Sequence, residues 1–225
     1  MTRVKQNSNG HGSLKDIQVL VNKNQVLIDT LIKSAFTEFV NDDILWTSPL
    51  ENDEYAEYRD DDFLVKVGLD PNEIQLDKFW PARGPQWDAL AYTVGGKILL
   101  IEAKANIPEF VSQATCAGEI SKALIVKFLN ETKDFLNINN DIDWSGKFYQ
   151  YTNRLAHLYF LREKCKKQTF LINIYFIGDE TVSGPETKQE WDGAIKVLNS
   201  YLGLSRHKLS KYMADIFIDI NELDK

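Results

Sequence analysis

The chain has 225 residues and a formal net charge of −7 at pH 7, a length that suits one domain with a full hydrophobic core. It contains no apolar run of about 18 residues, so no membrane span is expected. Residues 1–12 lack the apolar stretch of a signal peptide and are predicted to be disordered, leaving one domain over residues 13–225. Two distant cysteines without metal-ligand spacing favour reduced thiols in a cytoplasmic protein.

The first third of the chain reads as helical. Hydrophobic spacing predicts a helix over residues 14–40, followed by an irregular segment that contains Trp46 and Pro49. A second helix is predicted over residues 53–67, where a glycine and then a proline stop it.

A β-hairpin is predicted next, around Gly95-Gly96. Its second strand is the uninterrupted apolar run 98–101, typical of a buried strand, and the run ends at Glu102 and Lys104. Two similar acid–x–lysine patterns lie in helical contexts, which favours exposed positions for them. At the end of a buried strand, a carboxylate and a lysine are costly to bury without a partner or a metal. This context therefore indicates a functional site.

The hairpin register decides whether Asp88, in the first strand, joins that site. A two-residue loop places Asp88 on the opposite face from Glu102 and Lys104. A three-residue loop with a glycine bulge pairs Val94 with Ile98, and then all three charged groups share one face. The functional interpretation requires the second register or a bulge in the first strand.

Helices and strands alternate in the remaining sequence. Helical spacing predicts helices over residues 116–136, 147–166 and 187–201, and β-branched and aromatic residues predict strands over residues 169–177 and 214–220. This order predicts an α/β or α+β layered fold with a mixed sheet.

Asp88 after a proline-containing turn, then a hairpin and Glu102-Ala103-Lys104, resembles the PD-(D/E)XK nuclease superfamily. The resemblance covers residues 84–104 closely, with two residues between the proline and Asp88, and it extends loosely over most of the chain. It implies a restriction-endonuclease-like mixed β-sheet flanked by helices, and a Mg²⁺-dependent enzyme that cleaves DNA, with Mn²⁺ able to substitute. Asp88 and Glu102 would hold the metal with the carbonyl of Ala103, and Lys104 would position or activate the attacking water.

Two further residues are candidates for the same site, the first of them through the resemblance. Many members place a glutamate on the helix before the hairpin, and Glu57 matches that role, assisting the metal or a second one. An exposed acid in an acidic helix is the open alternative. Gln113, after the hairpin, is expected to contact phosphate or a ligand water, with plain surface as its alternative.

The helix over residues 147–166 has a polar arc that we expect to face the same cleft as Glu102. Its members stand at i, i+3, i+4 and i+7, opposite an apolar arc, and are Gln150, Asn153, Arg154 and His157. They are expected to bind substrate. For His157, packing near the core is the open alternative.

Charge is distributed unevenly along the chain. Residues 51–62 hold seven acids and one base, whereas residues 147–168 hold six bases and one acid. A chain of this kind can hold metals at the first segment and phosphates along the second. Nucleic acid is the expected partner, DNA ahead of RNA, and a homodimer is left open. The competing class is a binding protein without catalysis, in which a lysine–carboxylate salt bridge fills the site.

Overall fold

A computed structural model of the protein describes residues 2–224. The strands are β1 (Arg3–Val4), β2 (Ile44–Ser48), β3 (Glu57–Tyr58), β4 (Ala89–Thr93), β5 (Ile98–Lys104), β6 (Thr169–Ile177) and β7 (Met213–Asp219). The helices are α1 (Ser13–Lys23), α2 (Gln25–Ala35), α3 (Asp60–Lys66), α4 (Pro71–Ile74), α5 (Ile107–Phe110), α6 (Glu119–Leu136), α7 (Tyr149–Tyr159), which continues into a π-helical turn, and α8 (Lys188–Leu202). Within residues 2–224 no helix combines the length and the apolar character needed to cross a bilayer.

The main sheet has five strands in the order β2-β4-β5-β6-β7. The pairs β2–β4 and β4–β5 are antiparallel, whereas β5–β6 and β6–β7 are parallel. The short strands β1 and β3 form a separate antiparallel pair. The predicted class, α+β with a mixed sheet, is therefore confirmed.

Helices cover both faces of this sheet. Alternate residues of β5 divide between two hydrophobic cores: Leu99 and Ile101 lie in the core with α1 and α2, and Ile98 and Leu100 lie in the core with α3, α6, α7 and α8. Because side chains alternate along a strand, Glu102 shares the face of Leu100. The site predicted at the end of β5 consequently faces the layer that contains α7.

The later elements match the sequence predictions closely. Strand β6 has the predicted bounds, and α6, α8 and β7 begin and end within about one helical turn of the predicted residues. Each carries a strong local signal. Helix α8, for example, begins with a capping box in which Thr187 and Glu190 satisfy each other's backbone N–H groups.

The predictions for residues 14–67 were wrong in three places. The long first helix is interrupted at Asn24, whose side-chain amide donates to the carbonyls of Val19 and Asp224 instead of supporting a continuous helix. The segment predicted to be irregular forms β2, an edge strand with a register shift in its pairing to β4. The helix predicted over residues 53–67 is reduced to α3, and β3 precedes it.

The prediction of disorder over residues 1–12 was also wrong for the part of that segment that the structure describes. Val4 pairs with Glu57 in the β1–β3 ladder. Arg3 forms an ion pair with Asp53 at 2.7 Å, and the side chain of Gln6 donates to Glu57. These contacts join the N-terminal segment to the acidic stretch 51–62. Met1 lies outside the described residues.

Candidate active site

The turn of the β4–β5 hairpin is a three-residue loop, Val94–Gly96, in which Gly96 has a φ of 81°, a conformation that favours glycine. Ile98 pairs with Tyr92, not with Val94, so the predicted pairing was wrong by two positions along the strand. An even shift leaves every side chain on its predicted face.

Asp88, Glu102 and Lys104 accordingly lie on one face of the sheet, as predicted. They line a cleft of about 540 Å³ between the hairpin and α7, which we call the β5 cleft. Among its other lining side chains are Glu57, Gln150 and Arg154.

Glu102 is buried in the β5 cleft, at 6% exposure, and cations engage both of its oxygens. One oxygen accepts from Lys104 Nζ at 2.7 Å, and the other accepts from Arg154 Nε at 2.6 Å. Burial raises the pKa of Glu102, but the charges and hydrogen bonds of Arg154 and Lys104 outweigh burial and hold that pKa below its ordinary value. Glu102 is therefore ionised at neutral pH.

Asp88 has the opposite electrostatic environment. Its Oδ2 accepts a hydrogen bond from the backbone N–H of Ala103 at 2.7 Å. Burial, and then the negative charge of Glu102, raise the pKa of Asp88 well above its ordinary value, and Lys104 opposes them only in part. The cations of the cleft thus leave the charge of Asp88 uncompensated.

Glu57 reaches the β5 cleft, but not from a helix as predicted. It lies in β3 and is 4% exposed, and its Oε2 accepts from the side-chain amides of Gln6 and Gln86. Burial raises its pKa against these two hydrogen bonds, and the charge of Glu102 adds to the increase. The open alternative of an exposed acid does not hold, and the assignment of Glu57 as a metal ligand stays a prediction.

Arg154 organises the α7 side of the cleft. Besides its bond to Glu102, the guanidinium donates to Asn153 Oδ1 and to the carbonyl of Gln86, both at 2.8 Å. Its centre lies 5.0 Å from the ring centroid of Trp87. This fork of donors fixes the side chain in one orientation.

The two predicted glutamines lie at the same cleft in different environments. Gln150 Oε1 is buried and has no hydrogen-bond partner among residues 2–224, which leaves an acceptor for a ligand or a water. Gln113 is exposed, and its Oε1 accepts from Lys147 Nζ at 2.8 Å.

His157 does not line the β5 cleft, although it belongs to the predicted polar arc. It is fully buried and packs edge-on against the rings of Phe79 and Trp80. Its Nδ1 lies 2.8 Å from the carbonyl oxygen of Asn153. This position agrees with the open alternative of packing near the core. Its Nε2 has no hydrogen-bond partner among residues 2–224, and the predicted role of His157 in binding stays a prediction.

Replacing His157 with phenylalanine should flatten the acid side of the stability profile. Burial lowers the pKa of His157 from 6.5 to about 3, so the unfolded chain takes up a proton that the folded protein refuses. The stability that this difference provides is full above pH 6.5 and falls by about 1.4 kcal/mol per pH unit below it. Urea unfolding of both proteins between pH 7 and pH 4 measures this slope. Parallel profiles for wild type and His157→Phe would contradict the assignment.

The charge segments contribute less to the cleft than their composition predicts. Within residues 51–62, Glu57 lines the cleft, whereas Asp53 pairs with Arg3 and Lys66. Within residues 147–168, Arg154 is the cation that lines it. Other charges of the two segments form ion pairs outside the cleft, among them Glu54, Lys164 and Lys167.

Sequence reasoning missed Glu109, a further carboxylate of the β5 cleft. Its Oε1 accepts from Ser13 Oγ at 2.5 Å and lies 4.0 Å from Lys104 Nζ, and its Oε2 accepts from the backbone N–H of Ala105. It stands on α5, whose start is marked by an Asn106 cap and a proline. That start signal could have located the residue.

The donors at the end of β5 suit a hard cation. Carboxylate oxygens are among the ligands that Mg²⁺ prefers, and Asp88 and Glu102 provide them. Ala103 is not among the residues that line the cleft, so its carbonyl as a further ligand stays a prediction. The uncompensated charge of Asp88 fits the same ion. Among residues 2–224, no three His, Cys, Asp or Glu side chains are grouped so as to hold a metal, so two carboxylates would have to suffice with non-carboxylate ligands.

The structure brings most of the predicted site residues to one cleft and leaves His157 in the core. Glu102, between Lys104 and Arg154, is the centre of its charge network. In comparisons with protein-family models, with curated proteins and with solved structures, the chain has no match.

Proposed function

We propose that the protein is a Mg²⁺-dependent nuclease that hydrolyses phosphodiester bonds, with DNA as the favoured substrate and Mn²⁺ as a substitute metal. The observation that supports this proposal best is the position of Asp88, Glu102 and Lys104 on one face, in an open cleft that also holds Arg154. Two carboxylates for a hard cation and two cations for a phosphate are the groups that this reaction requires.

Each residue has a distinct role in the proposal. Asp88 and Glu102, with the carbonyl of Ala103, would hold the metal, and a bound Mg²⁺ would supply an acidified water and offset charge on the phosphate. Lys104 Nζ, 2.7 Å from Glu102, orients the attacking water or stabilises the charge that develops on phosphate oxygens. Glu57, whose pKa burial raises, is suited to hold a proton beside them.

The α7 side of the cleft binds the nucleic acid in this proposal. Arg154 presents a fixed guanidinium, and the unpartnered oxygen of Gln150 accepts a donor from sugar or base. Asn153 and Gln113 extend the polar lining. A cytoplasmic location, where nucleic acid is accessible, belongs to the same proposal, and a homodimer stays open.

One observation favours a second candidate, a binding protein without catalysis. Both oxygens of Glu102 are already engaged by cations, at 2.6 and 2.7 Å. A buried ion pair of this kind can itself hold the end of β5 in place, and removing one partner from such a pair is costly. In that case divalent ions would have no effect on the protein.

Cleavage assays test the proposal directly. Supercoiled plasmid, linear duplex DNA, single-stranded DNA and RNA are each incubated with the protein and Mg²⁺ or Mn²⁺, with EDTA as the metal-free arm. We expect metal-dependent cleavage of at least one form and a loss of about a hundredfold or more in Glu102→Gln, since one carboxylate ligand is removed. The exposed Glu186→Gln is the matched control and should cleave like wild type. No cleavage of any form, RNA included, would leave the binding protein as the better candidate.

A further inference from the structure

A second cavity lies beside α1, on the sheet face that α1 and α2 cover, and its lining residues are distinct from those of the β5 cleft. It has a volume of about 340 Å³ and is enclosed by α1, the loop after β6 and the C-terminal segment. We call it the α1 cavity. Its walls are largely apolar and include Val19, Tyr55, Ile220 and Leu223. Its size is at the lower end for small-molecule sites, about 300–1,000 Å³.

Two deeply buried acceptors stand in this apolar lining. Gln18 and Asp179 are each 2% exposed, and among residues 2–224 neither Gln18 Oε1 nor Asp179 Oδ2 has a hydrogen-bond partner. The other polar atoms of the two side chains are used: Gln18 Nε2 donates to the Asn7 carbonyl, and Asp179 Oδ1 accepts from Thr181. A buried acceptor left unpaired is destabilising, so these two oxygens are suited to a ligand that donates.

The charges and the apolar walls of the α1 cavity indicate which class of ligand it can bind. The lining carries three carboxylates against two lysines (Asp16, Glu51 and Asp179 against Lys15 and Lys23). Because Lys15 Nζ already donates to the Ser8 carbonyl, this balance disfavours an anion. The apolar walls and the ring of Tyr55 suit a flat ring, and two acceptors suit N–H groups at its edge. We propose that the α1 cavity binds a purine base, free or as a nucleoside, through the N–H donors of the base.

Isothermal titration of the full chain with adenosine and guanosine tests this site. We expect saturable binding of at least one of them and none of purine riboside, which has the same ring and sugar but lacks the N–H donors of the base. Asp179→Asn should weaken binding at least tenfold: its amide oxygen can still accept from Thr181, while its NH₂ group replaces the free acceptor. Asp134→Asn, an exposed site on α6, is the matched control and should bind like wild type.

A second variant keeps the test decisive if Asp179→Asn does not fold. Val19→Trp fills the cavity without changing either acceptor and should abolish binding while the melting transition remains cooperative. Absence of binding by both nucleosides would overturn the proposal, as would equal binding of purine riboside or binding that persists in Val19→Trp. Because the readout is binding, the result is independent of whether the β5 cleft cleaves nucleic acid.

Discussion

Replacing Asp88 with asparagine is expected to stabilise the metal-free protein at neutral pH and to remove its response to Mg²⁺. The charge of Asp88 is unfavourable in the folded state because burial and the charge of Glu102 raise its pKa. Asparagine removes that charge, and its side-chain oxygen can still accept the N–H of Ala103. The same replacement removes a carboxylate ligand from the proposed metal site.

The raised pKa of Asp88 makes its contribution to stability fall as pH rises. The folded protein keeps a proton on Asp88 over a pH range in which the unfolded chain, with a pKa of about 3.9, has released it. Stability from this group is therefore full below pH 3.9 and falls as pH rises toward the raised pKa, by about 1.4 kcal/mol per unit. Urea unfolding in EDTA should show a gap between Asp88→Asn and wild type that opens above about pH 4. A variant less stable than wild type at every pH would contradict the assignment.

Lys104→Ala is expected to keep the response to Mg²⁺ that Asp88→Asn removes, and to abolish cleavage as Asp88→Asn does. Both carboxylates remain and the competing ammonium is gone, so the Mg²⁺-induced melting shift should persist or grow. For wild type, a ligand at a hundredfold excess over its Kd adds about 2.7 kcal/mol of stability. Cleavage should be lost in both variants. If wild type shows no divalent shift, the ion pairs of Glu102 fill the site and the binding protein is the better reading.

The position of the charged face at the end of β5 could be predicted because it depends on local signals. The apolar run of β5 fixes a buried strand, and the even parity of the register keeps Asp88, Glu102 and Lys104 together even though the pairing was shifted. Glu57 lies instead in a two-residue strand, β3, that pairs with the N-terminal strand β1. Strands β1 and β3 are too short to show the alternation typical of a strand. The pattern of residues 53–67 therefore predicted a helix where tertiary pairing forms β3.

For the polar arc of α7, helical periodicity could not separate residues that line the cleft from residues that pack in the core. Periodicity separates two sides of a helix when one side meets water, but in α7 every residue from Thr152 to Tyr159 is buried. Arg154 and His157 lie on one arc, yet the first meets the cleft and the second meets aromatic rings. The neighbours that distinguish them, such as Trp80, come from a distant part of the chain. The spacing could not predict that Arg154 would pair with Glu102.

Arg154→Ala is expected to destabilise the protein by about 3–5 kcal/mol, because it leaves Glu102 buried with one of its two cations removed. The carbonyl of Gln86 and the side chain of Asn153 lose their donors as well. Arg154→Lys should lie between, since one ammonium cannot reproduce the guanidinium fork. Urea unfolding measures the series, and the exposed Arg206→Ala should stay within about 0.5 kcal/mol of wild type.

Adding Mg²⁺ to the same series separates the two candidate functions. In wild type a divalent ion competes with Arg154 for Glu102, whose Oε2 lies 2.6 Å from Arg154 Nε. In Arg154→Ala that competitor is absent and the carboxylate has lost half of its compensation, so Mg²⁺ should restore more stability to the variant than it adds to wild type or to Arg206→Ala. An equal response in all three would mean that no divalent ion reaches Glu102. The Arg154–Glu102–Lys104 network would then be a structural support of the cleft, as in a binding protein.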